Sequence, residues 1–164
     1  MKHIKNLIID KSDKASEQDV FEALCKDVLE ELDVDLVSIW YFNDDYSSIT
    51  CKYSIDKTDG HALIGTELFR ADHPTYFNAI IEGVSVSADD VYSHPMTIEL
   101  SEKYSKPNNI LSLLDYLIIE GDRTTGLICC ETTSAKRMWK EQDSDLIRVL
   151  TVMAGVELKN THQN

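Results

Sequence analysis

Basic side chains are scarce in this sequence, and their scarcity excludes several classes of partner. The 164 residues include 16 lysines and arginines against 29 aspartates and glutamates, so the net charge is -13. A field of this sign repels nucleic-acid phosphates and anionic lipid headgroups. We therefore predict no binding to nucleic acid and none to a membrane surface.

Long apolar runs are missing as well. No stretch is long enough to span a bilayer, and residues 1–11 become charged before a signal-like apolar core forms. We therefore expect a cytoplasmic protein. The sequence also lacks internal repeats, and its apolar fraction of 43% is ordinary for one globular domain.

The four cysteines have none of the spacings that hold a metal ion or a redox disulfide. Cys25, Cys51, Cys129 and Cys130 include no Cys-x-x-Cys pair, and the last two are adjacent on a predicted strand. We expect them to be reduced and buried. The sequence also has no Ser-His-Asp order and no phosphate-binding glycine loop, so we predict that the chain is not an enzyme. A thiol-based redox enzyme that uses Cys51, Cys129 or Cys130 is the alternative in that class.

Residues 110–132 predict a central β-hairpin. Two apolar runs flank Gly121-Asp122, a pair that favours a two-residue turn. Both runs are apolar at odd and even positions, so the hairpin should be covered on both faces and lie at the centre of a sheet. An uninterrupted ladder from this turn places Leu114 opposite Cys129 and Asp115 opposite Ile128.

Three polar residues stand inside these covered strands. The same ladder places Ser112 opposite Glu131, and Asp115 is the third. A buried polar group left without a partner costs on the order of 1–3 kcal/mol. Each of the three therefore needs a partner, which is either neighbouring backbone or a bound molecule.

An amphipathic helix is predicted at each end of the chain. Ser16 and Asp19 form a capping arrangement at the start of the first, which continues to about Leu32. The second begins near Trp139 and Glu141. Its apolar residues recur at spacings of three and four and are Leu146, Val149, Leu150, Met153 and Val156. This stripe either packs on the sheet or forms a seam against a second subunit.

The middle of the chain alternates strands with short helices. The predicted strands are 34–42, 47–55 and 84–87, and residues 56–71 form a long loop with room for one short strand. His73-Pro74 and His94-Pro95 each open a short helix, because proline suits the first helical turn.

Four local sequences now resemble one family when they are taken in order. They are AspAspValTyrSerHisProMetThrIleGluLeu at 89–100, IleLeuSerLeuLeuAsp at 110–115, GlyLeuIleCysCysGlu at 126–131, and Trp139 with Glu141 before the last helix. Together they resemble a GAF domain and are similar to the GAF modules attached to bacterial histidine kinases and diguanylate cyclases.

The resemblance covers most of the chain and implies a domain organisation. It spans residues 15–160, so residues 1–14 are an N-terminal segment and residues 161–164 are a C-terminal tail. The implied fold class is α+β, an α/β sandwich with a GAF-like central antiparallel sheet. The terminal helices pack on one face, and the short helices and loops form a pocket on the other.

The resemblance also implies a sensory, regulatory role. A small molecule in the pocket, or a packing change, is relayed through the terminal helices to a signalling output domain or partner protein, and those helices pair in a homodimer. An alternative is a dimerisation or interaction scaffold that binds no ligand. The candidate ligand-binding residues combine aromatic walls with a few polar groups and are Trp40, Cys51, Tyr76, Phe77, Asp90, Tyr92, Tyr104, Ser112 and Asp115.

The sequence does not identify a cofactor, but it can be searched for the motifs of specialised GAF domains. The Asn-Lys-x-Asp signature of cyclic-nucleotide GAF domains is absent, and residues 56–104 contain no cysteine to attach a bilin. Cys51 stands in no motif that matches the GAF-type methionine sulfoxide reductases. His61, His73 and His94 could supply a metal or haem site, although two of them precede proline and are explained as helix starts. We therefore expect no metal.

Overall fold

The computed structural model describes residues 1–10 and 15–162. Its helices are α1 (Lys2–Ile9), α2 (Glu17–Leu32), α3 (Pro74–Ile81) and α4 (Glu141–His162), with a 3-10 turn at Ile98–Leu100 and a π turn at Ser101–Ser105. Its strands are β1 (Leu36–Phe42), β2 (Ser48–Asp56), β3 (Glu67–Phe69), β4 (Ser87–Ala88), β5 (Ser112–Glu120) and β6 (Arg123–Thr132).

All six strands form one antiparallel sheet in the order β3-β2-β1-β6-β5-β4. The predicted α+β fold class is therefore confirmed, with helices on both faces of the sheet. The hairpin β5–β6 is covered on both faces except near its turn, as its unbroken apolar runs predict. Strand β6 is central, whereas the outer neighbour of β5 is the two-residue strand β4.

The predicted register of the hairpin is wrong by one residue. Glu120 pairs with Arg123 as expected, but Ile118 faces Gly126 and Ile119 faces Thr124, so Thr125 is an extra residue in β6. This bulge brings Asp115 opposite Cys129, where the uninterrupted ladder had Ile128. It likewise brings Leu114 opposite Cys130 and Ser112 opposite Thr132.

The terminal helices α2 and α4 cover one face of the sheet, as the resemblance implies. The predicted capping box forms at the start of α2, where Ser16 and Asp19 exchange hydrogen bonds. Helix α1 was not predicted, because its capping group lies far along the chain. The buried Asp27 carboxylate accepts from the backbone N–H groups of His3 and Ile4, each at 2.9 Å. Asp27 is therefore a charged residue on the buried side of α2, where it serves α1.

The opposite face of the sheet is covered by what we call the lid, which consists of α3 and the two helical turns at Ile98–Leu100 and Ser101–Ser105. Helix α3 begins with Pro74 at its first turn, as predicted. The second His-Pro pair opens 3-10 and π turns where an α-helix was expected, and these turns bury Leu100 and Tyr104.

The predicted strand 84–87 shrinks to β4. The Val84 N–H donates to the Ala79 carbonyl at 2.8 Å, which closes the end of α3 and keeps Val84 out of the sheet. The short strand allowed for in the long loop is present as β3. None of the helices within the described ranges is long and apolar enough to cross a lipid bilayer.

Candidate functional site

The hairpin presents two carboxyl groups to the lid. Side chains alternate along a strand, so Leu113, Asp115 and Leu117 of β5 share the lid face with alternate residues of β6. Cys129 lies directly opposite Asp115, and Glu131 lies opposite Leu113. Glu131 follows Cys129 by two positions on β6. The two carboxyl groups are therefore diagonal neighbours across the hairpin.

Each carboxyl group is held by one tyrosine hydroxyl from the lid. Tyr76 of α3 donates to Asp115 Oδ2 at 2.5 Å, and Tyr104 of the π turn donates to Glu131 Oε1 at 2.7 Å. The Cys129 thiol lies near both groups as a weak donor. Within residues 1–10 and 15–162, however, the second oxygens, Asp115 Oδ1 and Glu131 Oε2, have no hydrogen-bond partner.

Burial makes both carboxyl groups unusually weak acids. It raises the pKa of Asp115 to about 7, against a smaller lowering by the Tyr76 hydroxyl. It raises the pKa of Glu131 to about 8; the Tyr104 hydroxyl lowers that pKa, and the nearby Asp115 charge raises it. At pH 7 the two carboxyl groups together therefore hold between one and two protons.

The space between the sheet and the lid, which we call the chamber, is almost filled by protein side chains. Its free volume is about 10 Å³, roughly what one water needs. The walls are mainly apolar and are formed by Trp40, Ile49, Leu68, Tyr76, Leu100, Tyr104, Leu113, Leu127 and Cys129. The Trp40 and Tyr104 rings meet edge to face, with centroids 5.9 Å apart.

A hydrogen bond and an exposed ion pair connect the two parts of the lid. The Glu99 carboxylate accepts from the backbone N–H of Tyr76 in the first turn of α3, at 2.6 Å. An exposed ion pair of 2.8 Å joins Lys103 to Asp72, and an exposed pair of this kind contributes little to stability. A π turn such as the one that carries Tyr104 often marks a functional site.

The structure brings most of the predicted site residues together. Trp40, Tyr76 and Tyr104 line the chamber, and Asp115 borders it through Tyr76. The buried apolar cluster that surrounds the chamber also contains Cys51 and Phe77, with Tyr92 packed against it.

Two of the predicted residues lie outside the chamber. Asp90 is on the surface, where it forms an ion pair of 2.7 Å with Lys136. The buried Ser112 hydroxyl donates to the Asp89 carbonyl at 2.6 Å and accepts from the Arg137 N–H at 2.8 Å. Ser112 thus ties β5 to the segment before α4 and has its full set of local partners.

Three residues of the site were not among the predicted ligand contacts. Glu131 had a clear signal, because it is a charged residue in a strand covered on both faces. Cys129 enters the lid face through the one-residue shift in register. Glu99 had no sequence signal, since its partner is a backbone group 23 positions earlier.

The buried thiols are poor nucleophiles. All four cysteines are buried, and burial raises the pKa of each of them, that of Cys51 to about 12. Thiolate is the reactive form of cysteine, so this environment disfavours thiol catalysis.

The histidines of the lid half do not converge on one point. His61 and His73 each bind a backbone carbonyl through Nδ1, and His94 Nδ1 accepts from the Met96 N–H. Among the residues that the structure describes, the metal-like group of three ligands is His3, Asp27 and Glu30. The Asp27 oxygens in this group already cap α1.

Two larger depressions lie away from the carboxyl pair. One, of about 610 Å³, is at the edge of the sheet near Asp35, Lys57 and Asn108. The other, of about 490 Å³, lies between the terminal helices and the sheet, near Phe21 and Leu158. Both are open to solvent, and neither is lined by Asp115 or Glu131.

Comparisons with known proteins agree with this architecture. The family described as GAF domain matches residues 16–158. The chain therefore belongs to the GAF domain family. None of the curated proteins matches it.

Several solved structures share the fold at low sequence identity. The far-red absorbing dark state of JSC1_58120g3 with bound biliverdin IXa is 16% identical, with a TM-score of 0.74 over 97% of this chain and 98% of that one. The PixJ GAF domain of Thermosynechococcus elongatus is 19% identical, with a TM-score of 0.70 over 88% and 86%. The GAF domain of an Acinetobacter phosphoenolpyruvate-protein phosphotransferase is 13% identical, with a TM-score of 0.70 over 98% and 93%.

Proposed function

We propose that this chain is a non-catalytic sensory domain that binds a small molecule in the chamber and relays binding through its terminal helices. The observation that carries the proposal is the pair of fully buried acids, Asp115 and Glu131, each with one oxygen that lacks a partner among the described residues. Such oxygens are expensive to bury and are common where a ligand completes the hydrogen bonding.

Binding requires the lid to open, because the free volume of the chamber is only about 10 Å³. The tyrosines that cap the two acids belong to the lid, so opening the lid and uncovering the acids are one event. The Glu99 contact to the first turn of α3 holds the lid closed. We expect Glu99→Gln to bind ligand more tightly than wild type, because the closed state loses a charge-assisted hydrogen bond. Glu102→Gln, on the exposed side of the same segment, is the matched control.

The hairpin provides the route from the chamber to the terminal helices. Asp115 and Glu131 face the lid, whereas the alternate residues Leu114, Ile128 and Cys130 pack in the cluster that includes α2 and α4. A shift of β5 and β6 therefore changes the packing surface beneath the helices. An output domain or partner protein connected to α4 would receive that change.

The outer side of α4 supports a homodimer. The face buried within the chain contains Ile147, Leu150 and Ala154, whereas Val149, Val152 and Val156 are 44%, 63% and 56% exposed. The exposed valines follow a three-four spacing that suits a helix-helix seam. The chamber proposal does not depend on this interface.

A single charge placed in the exposed valine stripe tests the homodimer. We expect Val152→Glu to convert a dimer to a monomer in light scattering, because a charge at the centre of an apolar seam must be desolvated. The matched control is Val84→Glu, since Val84 is 47% exposed on the opposite layer. A monomeric wild-type protein, or equal effects of the two variants, would contradict the interface.

A second function, an interaction scaffold with a permanently filled core, is favoured by the small volume of the chamber. Bilin binding, known for the JSC1 relative from its bound biliverdin, is a weaker candidate, because residues 56–104 offer no cysteine for attachment. Native mass spectrometry of protein purified from its own host separates sensor from scaffold. The sensor predicts one retained small molecule per chain, which the double variant Asp115→Asn, Glu131→Gln loses. A folded wild type that carries no added mass at any growth condition supports the scaffold.

A further inference from the structure

The ionisable side chains that meet at the back of the chamber are all acids. They are Asp115, Glu131, Tyr76, Tyr104 and Cys129. Over residues 1–10 and 15–162, no lysine, arginine or histidine forms an ion pair with either carboxyl group. An anionic ligand would therefore find no positive partner there in a site of low dielectric constant, which is strongly unfavourable.

When the two carboxyl groups are ionised, the site lacks hydrogen-bond donors for two of their oxygens. Asp115 Oδ1 and Glu131 Oε2 are acceptors when the groups ionise, and each tyrosine hydroxyl supplies one donor to the other oxygen only. A neutral alcohol has one O–H and cannot reach both free oxygens, whereas an ammonium group has three N–H donors. A positive charge also stabilises both carboxylates at once.

The aromatic walls suit a cation as well. The rings of Trp40, Tyr76 and Tyr104 line the chamber, and Phe77 lies against Tyr76. The Trp40–Tyr104 and Tyr76–Phe77 pairs are edge to face, with centroids 5.9 and 6.1 Å apart. Rings attract organic cations through their negative faces, and such cages are a known mode of ammonium recognition. If Tyr76 or Tyr104 swings out with the lid, it vacates the space of a phenol, so the chamber can accept a group of that size.

We propose that the ligand of the chamber is a compact aromatic or similarly sized organic cation, whose N–H groups bind Asp115 Oδ1 and Glu131 Oε2, the oxygens that the tyrosine hydroxyls leave free. This inference rests on the proposed sensory function and specifies the ligand class of the same site. The net charge of -13 favours the approach of such a cation.

Three probes of matched shape test the charge requirement, namely benzylammonium, benzyl alcohol and benzoate. The reporter is the Trp40 indole N–H in proton–nitrogen NMR, because its hydrogen bond to Ser38 Oγ lies in the chamber wall at 2.7 Å. The Trp139 indole, which donates to the Ala88 carbonyl outside the chamber, is the internal control. We expect benzylammonium to shift the Trp40 signal saturably and to release protons at pH 6, since binding ionises the acids.

The acidic residues are tested by isosteric variants. We expect Asp115→Asn and Glu131→Gln each to weaken benzylammonium binding at least about tenfold, while Glu102→Gln leaves it unchanged. If a variant fails to fold, the comparison of the three probes on wild type still decides the matter.

Two results would overturn the inference. Equal or tighter binding of benzyl alcohol or benzoate at Trp40 refutes the cationic class and leaves the sensory function intact. The absence of any Trp40 shift with benzylammonium up to about 10 mM refutes the inference outright. The retained mass in native mass spectrometry then decides separately whether the chamber binds another molecule.

Discussion

The buried acids predict that this protein becomes less stable as the pH rises through neutrality. Both acids have raised pKa values in the folded chain, about 7 for Asp115 and about 8 for Glu131, against 3.8 and 4.5 when exposed. Between the unfolded and folded values the native chain holds more protons than the unfolded chain. The free energy of unfolding therefore falls with increasing pH until each folded pKa is passed.

The size of the effect follows from the distance between the pH values and each folded pKa. Each unit of pH over which only the native chain stays protonated is worth about 1.4 kcal/mol. From pH 5.5 to 8.5 we expect a loss of about 2 kcal/mol for Asp115 and about 3 kcal/mol for Glu131. The loss is large against a typical domain stability of roughly 5–15 kcal/mol.

Two aspartates with lowered pKa values contribute outside this window. Burial raises the pKa of Asp35, but its hydrogen bonds together outweigh burial, so that pKa is lowered. Hydrogen bonds lower the pKa of Asp56 as well, against an opposing effect of burial. Their stabilising contribution is present above the unfolded pKa and declines as the pH falls through the folded one. The loss that we assign to the carboxyl pair therefore lies above the pH range in which these two aspartates titrate.

Urea unfolding at a series of pH values measures this dependence. We expect Asp115→Asn and Glu131→Gln each to flatten the profile by the loss assigned to that residue, even where the new amide lowers stability at pH 5.5. Glu102→Gln is an exposed carboxyl-to-amide control and should keep the wild-type profile. A wild-type profile that is flat within about 1 kcal/mol, or variants that keep its full slope, would refute the reasoning.

Two further substitutions test the packing that positions the site. Gly126→Ala should destabilise the protein by about 1–3 kcal/mol, because the new Cβ would lie 2.4 Å from the Trp40 carbonyl oxygen. Gly155→Ala in α4 meets nothing within 4 Å and should stabilise by about 0.5–1 kcal/mol; similar urea midpoints for the two variants would contradict this. Asp27→Ala should detach α1, since two backbone N–H groups lose their acceptor. Fast amide exchange at Ile4 in this variant is the expected signature, and unchanged protection there would contradict it.

Local patterns in the sequence were sufficient for helices α2, α3 and α4 and for the existence of the hairpin. The capping box at Ser16 and the proline at the start of α3 are each encoded within a few residues. The two-sided apolar runs of β5 and β6 correctly indicated burial on both faces. Burial of the polar exceptions Asp115 and Glu131 could also be inferred, because a strand covered on both faces leaves them nowhere else to lie.

The features that could not be predicted depend on distant partners. The bulge at Thr125 gave no signal in the apolar pattern of the two strands, and it moved Cys129 opposite Asp115. Tyr76 meets Asp115 across 39 positions, and Tyr104 meets Glu131 across 27. Periodicity identifies each tyrosine as a buried residue but does not say which carboxyl group it will meet.

Below neutral pH the closed lid covers two uncharged carboxylic acids, Asp115 and Glu131. Carbon-13 NMR of the Asp115 and Glu131 carboxyl groups in the unliganded protein measures this directly, residue by residue. We expect titration midpoints near 7 for Asp115 and near 8 for Glu131, with both groups protonated at pH 6. Midpoints near 4 for the two groups in the folded protein would contradict this expectation.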